Sequence, residues 1–376
     1  MSLGHAFTDM NQGALPAIIP YLVAAGGLKY AQVAGFSFAI SAFSSMLQPL
    51  FGIMADKSSK SRLLAAGVLL GGCGLAMIGL FPNHYWLMFS VAIISGIGVA
   101  AYHPEAARMA NKAAGKKKGG GMSIFTVGGG IGFSAGPLLA TPLLIFFGLK
   151  GTVFLAVPSI IMFIIFMKIN SRLREIGNIQ EEGIISTPGE VKNEWKKFLW
   201  LSIAIVVRST ISHNVNTFLP LYLINVLNYS KAESGMALSF LFFVGSAATV
   251  AGGFLSDRIG VANIIKIGMI ILIPTLFFFT KITSPLGAWL ILLPLAFGLY
   301  MISTPVVLLG QKYLPVNVGF ASGVTLGLSV SIGGLTTPLF GSYADHNGLT
   351  ALFKLLCILP FIGAFVALTL KPSKHA

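Results

Sequence analysis

Long apolar segments separated by short polar ones run along almost the whole chain. Because about 20 apolar residues in a helix span the hydrocarbon core of a bilayer, each segment is predicted to be a transmembrane helix. The segments fall at approximately 1–26, 31–55, 63–81, 86–111, 120–147, 150–168, 198–226, 232–255, 262–280, 286–310, 317–344 and 348–370.

One long polar stretch divides these segments into six before it and six after it. We therefore predict an all-α membrane protein with twelve transmembrane helices in two six-helix bundles. The bundles comprise residues 1–168 and 198–376. Residues 169–197 form a cytoplasmic linker that could hold a short amphipathic helix.

Composition and charge narrow the class further. Hydrophobic residues make up 55% of the chain and charged residues only 10%, at a mean hydropathy of +0.85, which excludes a soluble domain. Most of the 25 Lys and Arg residues fall in segments that share a side with the N-terminus, so both termini are predicted to be cytoplasmic. The net charge of +14 is thus a topology signal and not a nucleic-acid site, although Lys116–Lys118 could also touch anionic lipid headgroups. Cys73 and Cys357 lie in apolar segments, so no disulfide, metal site or cofactor is predicted.

The two halves of the chain repeat each other at a constant offset of 201 residues. Such a parallel duplication is typical of carriers whose two bundles rock about a shared site. The same mapping predicts that the sequence begins about one turn inside its first helix and that Asp9 lies near the bilayer midplane. The matching pairs include Tyr21 and Tyr222, Gly52 and Gly253, Asp56 and Asp257, Pro104 and Pro305, Gly132 and Gly333, and Pro137 and Pro338.

The fourth segment ends in three ionisable side chains, His103, Glu105 and Arg108. Ionisable groups are costly within a membrane and are usually functional there. Glu105 and Arg108 share a helix face, and Pro104 should bend the helix beside them. The alternative is a solvated ion pair at a cytoplasmic helix end.

The first segment carries His5, Asp9 and Gln12 on one helix face. A carboxylate in an apolar setting takes up protons more easily, which is the chemistry of a proton-coupled carrier. The seventh segment supplies a basic counterpart, with Arg208, His213 and Asn216 in its apolar run. The alternative is that Asp9 and Arg208 belong to structural salt bridges, but the unpartnered imidazoles expected beside them favour a proton or substrate site.

Two loop motifs, one in each half, follow the pattern G-x-x-x-D-[RK]. The glycine permits close helix approach, and the aspartate can cap a helix or pair with a basic residue and so latch one conformation. Two copies in equivalent places resemble the motif of the major facilitator superfamily. The second copy lacks the basic run that usually follows, so its latch should be weaker. The motif residues are Gly52, Asp56 and Lys57 in the first half, and Gly253, Asp257 and Arg258 in the second.

The fifth segment contains Gly132, Gly136 and Pro137, which resemble the G-x-x-x-G-P element of drug/proton antiporters in that superfamily. The glycines would allow tight packing, and the proline would fix a bend that could keep an ion leak closed. A packing motif without antiporter meaning is the alternative.

Together these residues resemble the fosmidomycin resistance protein family of bacterial efflux carriers. The resemblance covers nearly the whole chain and rests mainly on the first-segment residues, on His103-Pro104-Glu105-x-x-Arg108 and on Gly128-Gly129. One departure is Gly130, where this family is expected to have Asn. The resemblance implies a drug antiporter of the bacterial cytoplasmic (inner) membrane, giving antibiotic resistance by export of the phosphonate fosmidomycin and other drugs, driven by proton entry.

Roles for the charged residues follow from this resemblance. Proton coupling is expected from Asp9 and Glu105, with His5 and His103 as relays. Substrate binding is expected from Arg208, His213, Arg108, Gln12 and Asn216, because arginine binds a phosphonate bidentately. The reverse assignment, in which Glu105 clamps Arg108 and Asp9 alone titrates, stays open.

Other functions are weighed against efflux. Proton-coupled uptake of an organic anion, or a receptor or lipid flippase on the same fold, would fit the same composition. An intramembrane hydrolase is disfavoured because neither H-E-x-x-H nor G-x-S-x-G in a strand–helix turn occurs. The expected partners are a small anionic substrate, protons and the lipid bilayer, without nucleic acid, and the functional unit is expected to be a monomer.

Overall fold

A computed structural model describes residues 1–57, 61–115, 118–177 and 192–371, apart from the side chains of residues 55–57, 118–119, 177, 319 and 328. In these ranges every regular element is helical, and two short 3₁₀ segments, Met77–Leu80 and Gly148–Leu155, accompany the α-helices. The α-helices are α1 (Ser2–Gly26), α2 (Tyr30–Lys57), α3 (Ser61–Ala76), α4 (Tyr85–Ala113), α5 (Lys118–Phe147), α6 (Ala156–Lys168), α7 (Asn170–Gly177), α8 (Trp195–Asn225), α9 (Lys231–Ile259), α10 (Val261–Phe279), α11 (Pro285–Tyr300), α12 (Ser303–Tyr313), α13 (Val318–Asn347), α14 (Leu349–Leu356) and α15 (Leu359–Thr369).

Ten helical stretches in the described ranges are long and apolar enough to cross a bilayer. One of them, Gly120–Lys168, contains both α5 and α6. Helix α1, which carries Asp9, is not among the ten. The structure thus confirms the prediction of an all-helical, multi-pass membrane protein.

The predicted linker, 169–197, is described in part. Helix α7 is short and amphipathic: Leu173 is buried against an apolar cluster that includes Met109 and Phe166, whereas Arg172 and Arg174 are exposed. This confirms the short amphipathic helix. Residues 178–191 lie outside the described residues, as do Lys116 and Lys117.

The chain divides into two compact units. The first unit consists of the described residues of Met1–Gly183 together with Ser230–Ser239, and the second consists of those of Ile184–Tyr229 and Phe240–Ala376.

In the first unit, α1 and α5 pack backbone to backbone. A Cβ atom at Gly132 would overlap the carbonyl group of Ala6, and one at Gly136 would overlap the carbonyl oxygen of Met10. Helices α3 and α4 approach equally closely at Gly67, where a Cβ atom would lie 2.7 Å from the backbone nitrogen of Tyr102. Small residues therefore bring α1, α3, α4 and α5 close enough for side chains of α1 and α4 to meet.

The second unit repeats this packing. A Cβ atom at Gly333 of α13 would overlap the ring of His213 in α8, and Gly268 of α10 packs on Ile302. Away from these contacts Tyr222, Phe279 and Phe353 form an aromatic core, with ring centroids 4.6 to 5.0 Å apart.

The helix starts follow the predicted repeat. Helix α2 begins at Tyr30 and α9 at Lys231, 201 residues later, and α5 begins at Lys118 and α13 at Val318, 200 residues later. The fourth helix differs between the halves: α4 is continuous, whereas its counterpart is broken into α11 and α12. The break lies just before Pro305, and proline is a common cause of such interruptions because it lacks a backbone donor.

Candidate functional site

A cluster of ionisable side chains in the first unit is centred on the Asp9 carboxylate. His5 lies one helical turn earlier in α1, and its Nε2 is 3.1 Å from Asp9 Oδ2. His103 reaches over from α4, with Nε2 3.1 Å from Asp9 Oδ1. The Gln12 side-chain nitrogen donates to the same Oδ1 at 3.1 Å. The structure thus brings four of the predicted site residues together and gives both imidazoles a partner.

The second nitrogen of each imidazole contacts a backbone carbonyl oxygen. His5 Nδ1 lies 2.8 Å from the oxygen of Phe125, and His103 Nδ1 lies 2.9 Å from that of Val99. A carbonyl oxygen only accepts hydrogen bonds, so both Nδ1 atoms carry a hydrogen and both rings direct Nε2 at Asp9. The His5 ring also stacks on Phe125, with centroids 4.2 Å apart, and the His103 ring stands edge-on to His5 at 5.1 Å.

Helix α5 closes the cluster with a glycine. A Cβ atom at Gly129 would lie 2.5 Å from His5 Cε1 and 2.7 Å from Asp9 Oδ2. Glycine at this position therefore lets α5 lie directly on the ion pair. The neighbouring Gly130, the departure from the expected family pattern, uses its carbonyl oxygen to accept a hydrogen bond from Ser134 at 2.8 Å.

The cluster could also hold a metal ion, because the ligand atoms of its ionisable side chains all lie within 4.8 Å of one another. These side chains are His5, Asp9 and His103. Each imidazole Nε2, however, lies 3.1 Å from a carboxylate oxygen, which is a hydrogen-bond distance. We interpret the cluster as a proton-sharing network.

Glu105 and Arg108 form a second ionic group, further along α4. Arg108 donates from Nε to Oε2 and from Nη2 to Oε1, both at 2.9 Å, and the Glu105 carboxylate is completely buried. This is a buried bidentate ion pair and not the solvated pair considered as an alternative. The geometry favours the assignment in which Glu105 clamps Arg108.

Arg208 occupies a different setting in the second unit. The side chain is 6% exposed, and its Nη1 donates to the carbonyl oxygen of Leu299 at 3.1 Å and to Ser303 Oγ at 3.2 Å, on either side of the break between α11 and α12. Its Nε is buried and has no hydrogen-bond partner. Within the described part of its own unit, no carboxylate forms a salt bridge with this guanidinium. In the part of the chain that the structure describes, Arg208 is therefore a buried cation held by neutral groups.

The other predicted residues of α8 divide between two neighbours. Asn216 accepts a hydrogen bond from the Tyr300 hydroxyl at 2.8 Å, which places it beside the Arg208 group. His213 packs against Gly333 of α13. Tyr300 and Ser303 were missed by sequence analysis. Their signal was positional, because both lie in the segment that the repeat aligns with the one around His103.

The loop motifs are only partly visible. A Cβ atom at Gly52 would lie 3.9 Å from Pro104, and one at Gly253 would lie 3.9 Å from Thr304, so the residues that the two glycines face are one position apart in the repeat. The side chains of Asp56 and Lys57 lie outside the described ones. Asp257 and Arg258 are exposed at the end of α9.

The chain has relatives over its full length. Residues 1–338 match the model of the Major Facilitator Superfamily. The chain is 26% identical, over all of its length, to the fosmidomycin resistance protein of Escherichia coli strain K12, of which it covers 92%. It is also 26% identical, over 96% of its length, to the uncharacterized MFS-type transporter YfnC of Bacillus subtilis strain 168, of which it covers 89%.

Solved structures give the same architecture. The nucleoside transporter NupG matches with a TM-score of 0.78 at 14% identity, over 98% of this chain and 96% of that one. A bacterial homologue of the human lysosomal transporter Spinster matches with a TM-score of 0.76 at 16% identity, over 98% and 93% of the two chains. At such identities the likeness shows the fold alone. The family match, which spans most of the chain, is decisive, and the protein belongs to the major facilitator superfamily of membrane transporters, which are not enzymes.

Proposed function

We propose that this protein is a proton-coupled exporter of a small organic anion in the bacterial inner membrane. In this proposal twelve transmembrane helices form two bundles, 1–168 and 198–376, with both termini cytoplasmic, and a monomer is the functional unit. Ten apolar stretches, of which the 49-residue Gly120–Lys168 is long enough for two crossings, together with α1 support a count of twelve crossings.

The observation that supports an anionic substrate is the burial and the hydrogen bonding of the Arg208 guanidinium. A buried charge without a counter-charge is unfavourable, so a protein retains one where a ligand supplies the missing charge. Its Nη1 is held by Leu299 and Ser303, while the edge formed by Nε and Nη2 makes no hydrogen bond among the described residues. That edge is the one that binds a carboxylate or phosphonate through two parallel hydrogen bonds.

The residues around Arg208 suit the rest of such a ligand. Tyr300, Asn216 and Ser303 bring a phenol, an amide and a hydroxyl to the same part of α8, α11 and α12. These groups donate or accept hydrogen bonds without adding charge. His213, packed on α13, is assigned the role of holding α8 in place. One formal charge on the protein side favours a substrate group with one or two negative charges.

Proton coupling is assigned to the first unit. The cluster of His5, Asp9 and His103 is mostly buried, and both imidazoles lie 3.1 Å from the carboxylate. Histidine gains or loses a proton near neutral pH, so the charge of the cluster changes when water reaches it. Gln12 orients the carboxylate. Glu105 and Arg108, paired with each other, hold α4, and the two G-x-x-x-D-[RK] motifs act as latches. Gly132, Gly136 and Pro137 keep α1 and α5 in tight contact.

Fosmidomycin is the proposed test substrate because the relative that the chain matches over its full length is a fosmidomycin resistance protein. A phosphonate also has the oxygen geometry that Arg208 can bind. Uptake of an organic anion is the competing function. Expression in sensitive cells separates the two, because export raises resistance to fosmidomycin whereas uptake lowers it.

The test is transport of labelled fosmidomycin by purified protein in proteoliposomes under an imposed pH gradient, with a pH dye recording proton movement. We expect Arg208→Ala to abolish transport and Asp9→Asn to abolish the drug-evoked proton signal, while both proteins remain inserted. Arg172→Ala is the matched control, because Arg172 is an exposed arginine of α7. Transport by both variants at the wild-type level, with unchanged proton movement, would refute these roles.

A further inference from the structure

We propose that His103 is the residue that takes up and releases the coupled proton, one for each anion, and that Asp9 and His5 remain a charged pair throughout. This inference rests on the proposed function, because it names the side chain that exchanges the proton in that transporter and the number of protons exchanged for each anion.

The polar contacts of the cluster fix how many protons it holds. The two Nδ1 atoms need one hydrogen each, because each faces a carbonyl oxygen. The two contacts between Nε2 and a carboxylate oxygen need one hydrogen each as well. Four hydrogens on two imidazoles and one carboxylate give the cluster a net charge of plus one. In the observed geometry the cluster is therefore in its proton-loaded state.

Loss of one proton leaves the cluster neutral and removes one of the two contacts to Asp9, because a bare Nε2 and a carboxylate oxygen repel each other. Loss of a second proton would leave a carboxylate with no cation among its imidazole partners in an apolar interior, which is far more costly. The cluster is thus built to release one proton and to retain the other. Because the second proton is so much more costly to remove than the first, one proton is exchanged for each anion.

The surroundings of the two imidazoles determine which one releases the proton. His5 belongs to the same helix as Asp9, stacks on Phe125 and is covered by Gly129. His103 stands on another helix, and its side chain is 23% exposed compared with 11% for His5. Water therefore reaches His103 more easily. When its proton leaves, the contact that is lost is a polar one between α1 and α4, so protonation is coupled to the packing of these two helices.

The other groups around the cluster do not replace His103 as the exchanging site. On α4, the Tyr102 hydroxyl donates to the carbonyl oxygen of Met1 at 2.9 Å, and Glu105 is neutralised by Arg108. Helix α1 adds the uncharged amide of Gln12. Other described neighbours contribute uncharged contacts: Phe125 and Gly129 of α5 lie against His5, Phe166 of α6 and Gly67 of α3 lie against Tyr102, and Gly52 of α2 faces Pro104.

The first experiment measures protons and labelled fosmidomycin together in proteoliposomes. We expect a ratio of one proton per anion for the wild type and a ratio of zero for His103→Gln, which should still exchange labelled for unlabelled drug across the membrane. His84→Gln, an exposed histidine outside the cluster, is the control and should keep a ratio of one. A wild type without proton movement would refute the proposed function itself. A wild-type ratio of two, or coupling that survives in His103→Gln, would refute only this inference.

A second experiment does not depend on the substrate. Nuclear magnetic resonance of protein labelled with ¹⁵N-histidine, with signals assigned from His5→Gln and His103→Gln, follows each ring as pH changes. We expect His103 to change protonation over a range in which His5 stays doubly protonated. Titration of both rings together, titration of His5 alone, or spectra that change on addition of EDTA would overturn the proposal.

Discussion

The two units place different chemistry on the same packing scheme. In the first unit the ionisable side chains satisfy one another: Asp9 is shared by two imidazoles, and Glu105 is held by Arg108. In the second unit Arg208 is also buried, but among the described residues it donates hydrogen bonds only to a carbonyl oxygen and a hydroxyl. The repeat aligns Asp9 with Thr210 and His103 with Thr304, so neither unit retains the other's charges. A complete network suits a proton, and an incomplete one suits an anion.

The helices that carry these groups also differ between the units, because one is continuous and its counterpart is interrupted. Helix α4 runs unbroken past Pro104, and His103 stands on a regular turn, with Nδ1 on the carbonyl oxygen of Val99. Its counterpart is interrupted before Pro305, and Arg208 binds groups on both sides of the interruption. The duplicated segment therefore positions the imidazole of His103 in the first unit, and in the second unit it binds the guanidinium of Arg208.

The strongest way to break the comparison is to remove a charge from the complete network. Glu105→Gln takes away a negative charge and one of the two oxygens that accept hydrogen bonds from the mostly buried guanidinium of Arg108. Breaking a buried ion pair in this way costs about 3 to 5 kcal/mol. We expect a clear fall in the thermal unfolding temperature in detergent, with the ratio of protons to anions unchanged in the molecules that stay folded. A change of that ratio without a loss of stability would make Glu105 a proton carrier and not a clamp.

A smaller effect is expected where α5 covers the cluster. Gly129→Ala would place a Cβ atom against His5 and Asp9, and overpacking of this kind costs about 1 to 3 kcal/mol. We expect slower transport and a weaker dependence on pH, since the His5–Asp9 pair must shift. Gly120→Ala is the matched control in the same helix, because a Cβ atom there meets nothing within 4 Å. Equal transport by both variants would show that α5 does not lie on the site as described.

Much of this organisation is predictable from the sequence, because membrane helices follow hydropathy and the duplication fixes their order. The face of His5, Asp9 and Gln12 could be predicted from spacings of three and four in a helix. The partner of that face could not, since the contact between His103 and Asp9 depends on how closely glycines let α1, α4 and α5 approach. Tyr300 and Ser303 were missed because neutral residues in an apolar run carry no chemical signal.

The pairing of Glu105 with Arg108 shows the same limit. Their spacing of three residues predicts a shared helix face, but it cannot distinguish a solvated pair from a buried one. The neighbouring α4 residues Ala106 and Met109 belong to an apolar cluster that also draws side chains from other helices, including Phe166 of α6. Tertiary packing and not local pattern therefore separates a structural clamp from a proton carrier.

The finest test of the comparison is the stability of a variant that loses its function. Arg208→Met removes a buried cation, which relieves desolvation, and also removes two hydrogen bonds to neutral groups, each worth about 1 kcal/mol. These terms oppose each other, so we expect an unfolding free energy within about 1 kcal/mol of the wild type, in contrast to the loss expected for Glu105→Gln. Unfolding in detergent with Arg172→Met as the exposed control measures this difference. A loss as large as that of Glu105→Gln would mean that Arg208 has a structural counter-charge, and the second unit would then be as complete as the first.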